Sequence, residues 1–164
     1  MPETRSETRE LRITRVFDAP RALVFETWSK PEHLVHWWGP AGFTLPTHQM
    51  DFRAGGAIRF CMRSSDGHEH WMVGAYREIV PLSRIVFASS IDDDPSHQVI
   101  TTVIFADEGG KTKVTVEQLF TFESDATRGA QKGWTSSLDR LVTLLAQLTT
   151  ASTAASPATR EAER

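Results

Sequence analysis

Residues 130–148 carry an apolar stripe at steps of three and four: Ala130, Trp134, Leu138, Leu141, Leu145 and Leu148. That spacing belongs to one face of a helix, and such a face must be covered by another apolar layer. The chain before it supplies strands. In residues 57–63, Ile58, Phe60 and Met62 alternate with Arg59, Cys61 and Arg63, the two-residue period of a half-buried strand. Runs of strand character also cover residues 11–17, 47–52, 69–80, 84–90, 97–106 and 111–122. Turn-forming stretches such as Ala54-Gly55-Gly56, Ser65-Asp66-Gly67 and Gly109-Gly110 separate several of them. About seven strands joined this closely form an antiparallel meander. A meander that covers one long amphipathic helix has to bend around it. The expected class is α+β: a curved antiparallel sheet wrapped on a long C-terminal helix, with two short helices after the first strand.

The short helices are read from local signals. Asp18-Ala19-Pro20 opens the first, whose stripe is Val24, Phe25 and Trp28; proline is tolerated in a first turn. Ser29-Lys30-Pro31-Glu32 has the form of a capping box and starts the second, which passes through Leu34 and Val35 to the pair Trp37-Trp38. Gly39-Pro40 then reverses the chain. Two indoles delivered at such a corner suit the wall of an apolar cavity between sheet and helix. Trp37, Trp38, Phe43, Phe60, Met62, Trp71, Met72 and Trp134 form its expected lining, against the alternative that they simply fill the core. Gly129, Gly133, Ser136 and Ser137 surround Trp134 with small side chains, pointing to close approach or to empty space. Gly74, inside a strand, marks a bulge or a close approach.

At 164 residues the chain fits one domain. A flexible arm is expected over residues 1–10, the domain over 11–149, and a disordered tail rich in Ala, Ser and Thr over 150–164. The net charge of -3 is mild and the basic residues are scattered, so no nucleic-acid footprint is visible. No run approaches the ~18 apolar residues of a membrane span, and the polar opening stretch has no secretory character. The one cysteine, Cys61, excludes an intramolecular disulfide and suits a reducing cytoplasm. Its neighbours give it no nucleophile's environment. Ser124 or Asp125 is placed to cap the last helix, with Arg128, Lys132 and Arg140 read as solvated charges on its polar side.

Asp51, Tyr76 and Glu78 are the catalytic candidates. A carboxylate inside an apolar cavity has a raised pKa and serves as an acid or base. The alternative is structural ion pairing of Asp51 or Glu78 with Arg53, Arg59 or Arg77, and residues 51–56 read better as a turn determinant than as a catalytic motif. No nucleophile and base stand at a recognisable spacing, which favours a binding protein over an enzyme. His33 and His36 share a helical face and His48 follows, but there is no paired-cysteine or H-E-x-x-H pattern. No metal or other cofactor is therefore expected. His68 and His70 flank a hairpin and are expected in solvent. Asp92-Asp93-Asp94 is too short and unpatterned for a calcium loop.

Several motifs together carry a resemblance. They are Arg15-Val16-Phe17-Asp18-Ala19-Pro20, Pro31-Glu32-His33-Leu34 with Trp37-Trp38-Gly39-Pro40, residues 51–56, Gly74-Ala75-Tyr76-Arg77-Glu78, and Gly133-Trp134 with Ser137-Leu138-Asp139. In this order they resemble the START/Bet v 1-like (SRPBCC) superfamily of helix-grip proteins, across residues 11–148. Within it the chain is similar to the branch named after the C-terminal domain of the activator of heat shock protein 90 ATPase. The resemblance implies a helix-grip fold and three kinds of activity. One is binding of a small hydrophobic or amphipathic ligand; another is a co-chaperone role with a chaperone partner; the third is a polyketide cyclase/aromatase-like or hydrolase-like reaction. A homodimer is compatible with the prevalence of twofold pairing among oligomers.

Overall fold

In the first strand, β1 (Arg9–Phe17), Ile13, Arg15 and Phe17 turn toward the helix layer and Arg12, Thr14 and Val16 turn away. The computed structural model describes residues 9–90, 96–120, 122 and 129–163. After β1 come α1 (Arg21–Ser29) and α2 (Pro31–Leu34). Six strands follow: β2 (Thr44–Met50), β3 (Ala57–Arg63), β4 (Glu69–Val80), β5 (Arg84–Ser90), β6 (Gln98–Glu108) and β7 (Lys111–Phe120). The last element is α3 (Ala130–Glu163). The seven strands form one antiparallel sheet in the order β1-β7-β6-β5-β4-β3-β2. Every neighbour but one is a hairpin neighbour; β1 closes against β7 in full register, from Arg9 opposite Phe120 to Phe17 opposite Thr112. The sheet curves around α3, which is the expected helix-grip arrangement.

The core lies between the concave face and the helices. It joins Phe17, Val24, Trp28, Leu34, Trp37, Ile58, Phe60, Ile85, Val103, Val114 and Val116 to Leu138, Leu141 and Leu145 of α3. Arg15 reaches across from β1 and its guanidinium donates to Asp139 Oδ1 at 2.9 Å, tying the first strand to the last helix. Gly74 meets the expectation of close approach. A Cβ there would stand 1.9 Å from Ala88 O, and the β4–β5 register slips between Tyr76 and Glu78.

Local signals misled at four places. Ser29 caps nothing: it stays in α1, where its hydroxyl donates to Glu26 O at 3.3 Å, and Lys30 takes the N-cap position of α2 without a side-chain bond. A lysine is tolerated there because Pro31 presets the first turn and has no N–H to satisfy. α2 ends at Leu34, and the Trp pair follows in turns rather than in regular helix, with Trp38 N bonding to Leu34 O at 3.0 Å. β2 begins earlier than expected, at Thr44, because it is a sheet edge and an edge accepts Pro46 with a register shift between Thr44 and Thr47. It also ends at Met50, so Asp51 lies in the turn beyond it.

The arm expected over residues 1–10 lies outside the described residues up to Thr8, while Arg9 and Glu10 already pair with Phe120 and Leu119. Asp92-Asp93-Asp94, Ser124, Asp125 and Arg128 also lie outside them. α3 continues through 150–163, where composition points to a disordered tail. Leu148 is the last described side chain that packs on the core.

Candidate functional site

Four indoles gather where α1, α2 and the first turns of α3 meet. Trp28 packs edge-on against Trp37 at 4.6 Å between ring centroids and stacks nearly parallel to Trp134 at 5.9 Å. Trp38 stands edge-on to Trp134 at 5.5 Å and to Phe60 at 5.3 Å. Trp37 is wholly buried and its Nε1–H donates to Thr27 O at 3.0 Å. Beyond this interlock, Trp38 and Trp134 also border a hollow of about 310 Å³ between the sheet and α3. That is near the lower end of the size range of small-molecule pockets, roughly 300–1,000 Å³.

Three structural elements build the hollow. Met62, Met72, Phe87, Ser89, Val99 and Gln118 rise from the concave face. Gly129 and, from α3, Ala130, Gly133, Trp134 and Ser137 face them. The lip is Trp38, Gly39, Pro40 and Phe43, with His70 beside it. Gly39 adopts φ +94°, a left-handed conformation that favours glycine, so the reversal after the Trp pair depends on it. Around Gly133 the only described heavy atom within 4 Å of an added Cβ is Pro40 Cγ at 3.8 Å. The small residues beside Trp134 therefore mark open space rather than close packing. None of the described lining residues is Asp, Glu, Lys or Arg.

The lip is fastened to α3 by Arg140. Its Nη1 donates to Gly39 O at 2.8 Å, Pro40 O at 3.2 Å and Trp38 O at 3.4 Å, and Nη2 donates to His36 O at 3.2 Å. The expectation of a solvated charge is corrected here. The turn that carries the Trp pair exposes a cluster of carbonyls without helical partners, and a planar guanidinium spans several of them at once. Burial pulls Arg140 below its ordinary pKa. Nearby, Ser136 Oγ accepts from Ala41 N at 2.8 Å, a second tie between lip and helix.

Of the eight expected lining residues, Trp38, Phe43, Met62, Met72 and Trp134 border the hollow. Trp37 and Phe60 lie beneath it in the core. Trp71 occupies the opposite face of the sheet, with the Arg59 guanidinium 4.3 Å over its ring. Successive strand residues point to opposite faces, so Trp71 and Met72 do not share one wall. Unanticipated lining residues are Phe87, Ser89, Ser90, Val99, Gln118 and His70. Their signal was available as alternation: Phe87, Val99 and Gln118 fall on inward positions of β5, β6 and β7.

The three catalytic candidates do not converge. Asp51 is exposed in its turn and its Oδ2 accepts from Arg53 Nε at 2.7 Å. Glu78 is exposed and lies 3.1 Å from Arg84 Nε, a partner that the β4–β5 pairing supplies. Only Tyr76 is buried, between Phe52 at 5.1 Å and Phe87 at 6.2 Å. Burial raises its phenol well above the ordinary value, beyond the range useful for proton transfer near neutrality. The run 51–56 acts as a turn determinant: Gly55 N donates to Tyr76 O at 2.8 Å, and a Cβ on Gly56 would lie 1.8 Å from Asp51 O. His33 Nε2 lies 4.0 Å from Glu26 Oε2 and His48 Nδ1 lies 3.0 Å from Leu45 O. Cys61 is buried in β3.

These features place the chain among known proteins. A protein from Chromobacterium violaceum shares its fold at a TM-score of 0.77 and 28% identity, over 88% of this chain and 98% of that one. An uncharacterised protein from Rhizobium leguminosarum is 32% identical at a TM-score of 0.73, over 85% and 95%. The AHSA1 protein from Silicibacter pomeroyi is 25% identical at 0.72, over 85% and 99%. No curated protein matches the chain. The family described as Activator of Hsp90 ATPase homolog 1-like protein matches residues 18–146, from the turn before α1 into the packed part of α3, and to that family the chain belongs.

Proposed function

We propose that this protein binds a small, uncharged, hydrophobic or amphipathic molecule in the hollow between the sheet and α3. The observation that carries the reading is the combination of a volume near 310 Å³ with a described lining that holds no Asp, Glu, Lys or Arg and includes Trp38 and Trp134. Burying apolar ligand area there yields about 25 cal/mol per Å², and two indoles offer broad contact surfaces at little entropic cost. Mass spectrometry of natively purified protein is expected to find a co-purifying small molecule. Titration with 1-anilinonaphthalene-8-sulfonate and with neutral aromatic probes is expected to quench tryptophan emission and raise the Tm for the neutral probes. Unchanged emission and Tm across the whole panel overturn the reading.

The family description supports a second reading, an action on the ATPase of a heat shock protein 90 chaperone. Its test is stimulation of that ATPase by micromolar protein, and the absence of stimulation rejects it. Nothing in the geometry favours an enzyme built on Asp51 and Glu78, because both are held outside by arginines. A reducing compartment such as the cytoplasm suits the single, buried Cys61. Among the described residues no helix is long and apolar enough to cross a membrane.

A further inference from the structure

Gln118 breaks an otherwise simple row. The inward positions of β7 are Thr112, Val114, Val116, Gln118 and Phe120, and the threonine at the head of the row is satisfied by donating to Ala19 O at 2.7 Å. Gln118 is more than nine-tenths buried, at 7% exposure. Its Nε2 donates to Thr101 Oγ1, directly opposite on β6, at 3.0 Å. Its Oε1 is buried and accepts from no group among the described residues. A buried acceptor left unpaired is costly, and native proteins retain one where something else satisfies it. Gln118 also belongs to the lining of the hollow, next to Val99 and Ser89.

We infer that Gln118 is the polar anchor of the ligand site, its side-chain oxygen accepting a hydrogen bond from a hydroxyl or N–H on an otherwise apolar, uncharged molecule. This rests on the proposed binding role and specifies the ligand's chemistry. The rest of the described lining is mostly apolar, with the hydroxyls of Ser89, Ser90 and Ser137 and the imidazole of His70 as its other polar side chains, and holds no Asp, Glu, Lys or Arg to balance an ion. The ligand therefore has a donor-bearing end set against β7 and an apolar body lying against the contacting pair Trp38 and Trp134. A largely apolar site with an unpaired buried acceptor discriminates strongly, because a ligand without the donor leaves that acceptor unsatisfied.

The test uses 1-naphthol and its methyl ether, which differ in the donor, on the full chain, read by tryptophan quenching. Wild-type protein is expected to bind 1-naphthol about tenfold more tightly than the ether. Gln118→Met preserves length without the amide and is expected to bring the two affinities together while the ether still binds. Thr101→Val/Gln118→Met removes both partners of the internal bond, which guards against a folding defect from leaving Thr101 unpaired. This double variant is expected to melt no lower than wild type and to show the same lost preference. Equal binding of both probes by wild type overturns the anchor while leaving the binding role intact. So does a naphthol preference that survives in either variant. Binding of neither probe by wild type counts against the binding role itself and removes the anchor with it.

Discussion

Arg140 shows how much one side chain holds. Its guanidinium reaches four backbone carbonyls between His36 and Pro40, and the segment it holds carries both Trp37 and Trp38. Charge-assisted bonds of this kind contribute about 1.5–3 kcal/mol. Arg140→Met is expected to lower stability by about 2 kcal/mol in chemical denaturation and to shift tryptophan emission to the red as the lip loosens. Arg140→Lys restores only part, since an ammonium lacks the fork that spans several oxygens. Tyr76 gives a second residue-scale prediction. It is the chain's one tyrosine, so phenolate absorbance reports on it alone. Its folded pKa lies above the ordinary 10.0 because burial disfavours the anion. Below that pH both states keep the proton and the contribution is complete. Above it the unfolded chain releases a proton that the folded chain retains, so stability falls as pH rises. Native protein is expected to show no phenolate through pH 10, whereas the denatured chain titrates near that value. Tyr76→Phe is expected to flatten the alkaline loss of stability.

At the scale of elements, α3 is both the core's spine and one wall of the hollow, and Gly133 separates these tasks. An added Cβ stands in ordinary contact with Pro40 at 3.8 Å. Gly133→Ala is therefore expected to gain about 0.5–1 kcal/mol from helix propensity, with probe binding retained. Gly133→Phe is expected to keep the fold and abolish probe quenching by filling the space beside Trp134. The elements themselves were largely legible. β3, β4 and β5 have the bounds that alternation and turn signals indicate, because each is a two-period run closed by glycine, proline or serine. The site was legible only in part. Five lining residues announced themselves as bulky apolar groups near the Trp pair, on β3 and β4, or on α3. Trp71 misled because hydrophobicity was weighed without strand parity, and the arginine over its ring covers it on the outer face. Gln118 was hidden for the converse reason, as a polar residue whose inward position follows only from the parity of β7. Arg140 was unreadable in the helix pattern: nothing in its spacing tells that the chain returns a cluster of carbonyls to that side of α3.

The whole molecule raises the question of how much of α3 the fold requires. The helix spans 34 residues, yet the described contacts with the core end at Leu148. Beyond it the sequence is alanine, serine, threonine and charge, with Pro157 inside the helical span. An interior proline lacks the N–H that bonds one turn back and costs about 3 kcal/mol, with no apolar stripe there to offset it. Isolated helix of this length is marginal in water. The folding unit is therefore proposed to end near residue 149. Deleting residues 150–164 is expected to leave the Tm within about 2 °C, because a stretch whose sequence has no apolar stripe is expected to contribute no more than about 0.5 kcal/mol. Probe binding should also persist, since every described lining residue on α3 lies between Ala130 and Ser137. Deleting residues 145–164 instead removes Leu145, which is 3% exposed, and Leu148. Full burial of one leucine contributes about 1.5–3 kcal/mol against a total stability of about 5–15 kcal/mol. The longer deletion is expected to lower the Tm by 10 °C or more, about what losing a few kcal/mol implies for a domain of this size. Thermal melts followed by circular dichroism separate the two. A large loss on the first cut would show that the terminal turns of α3 pack on the domain.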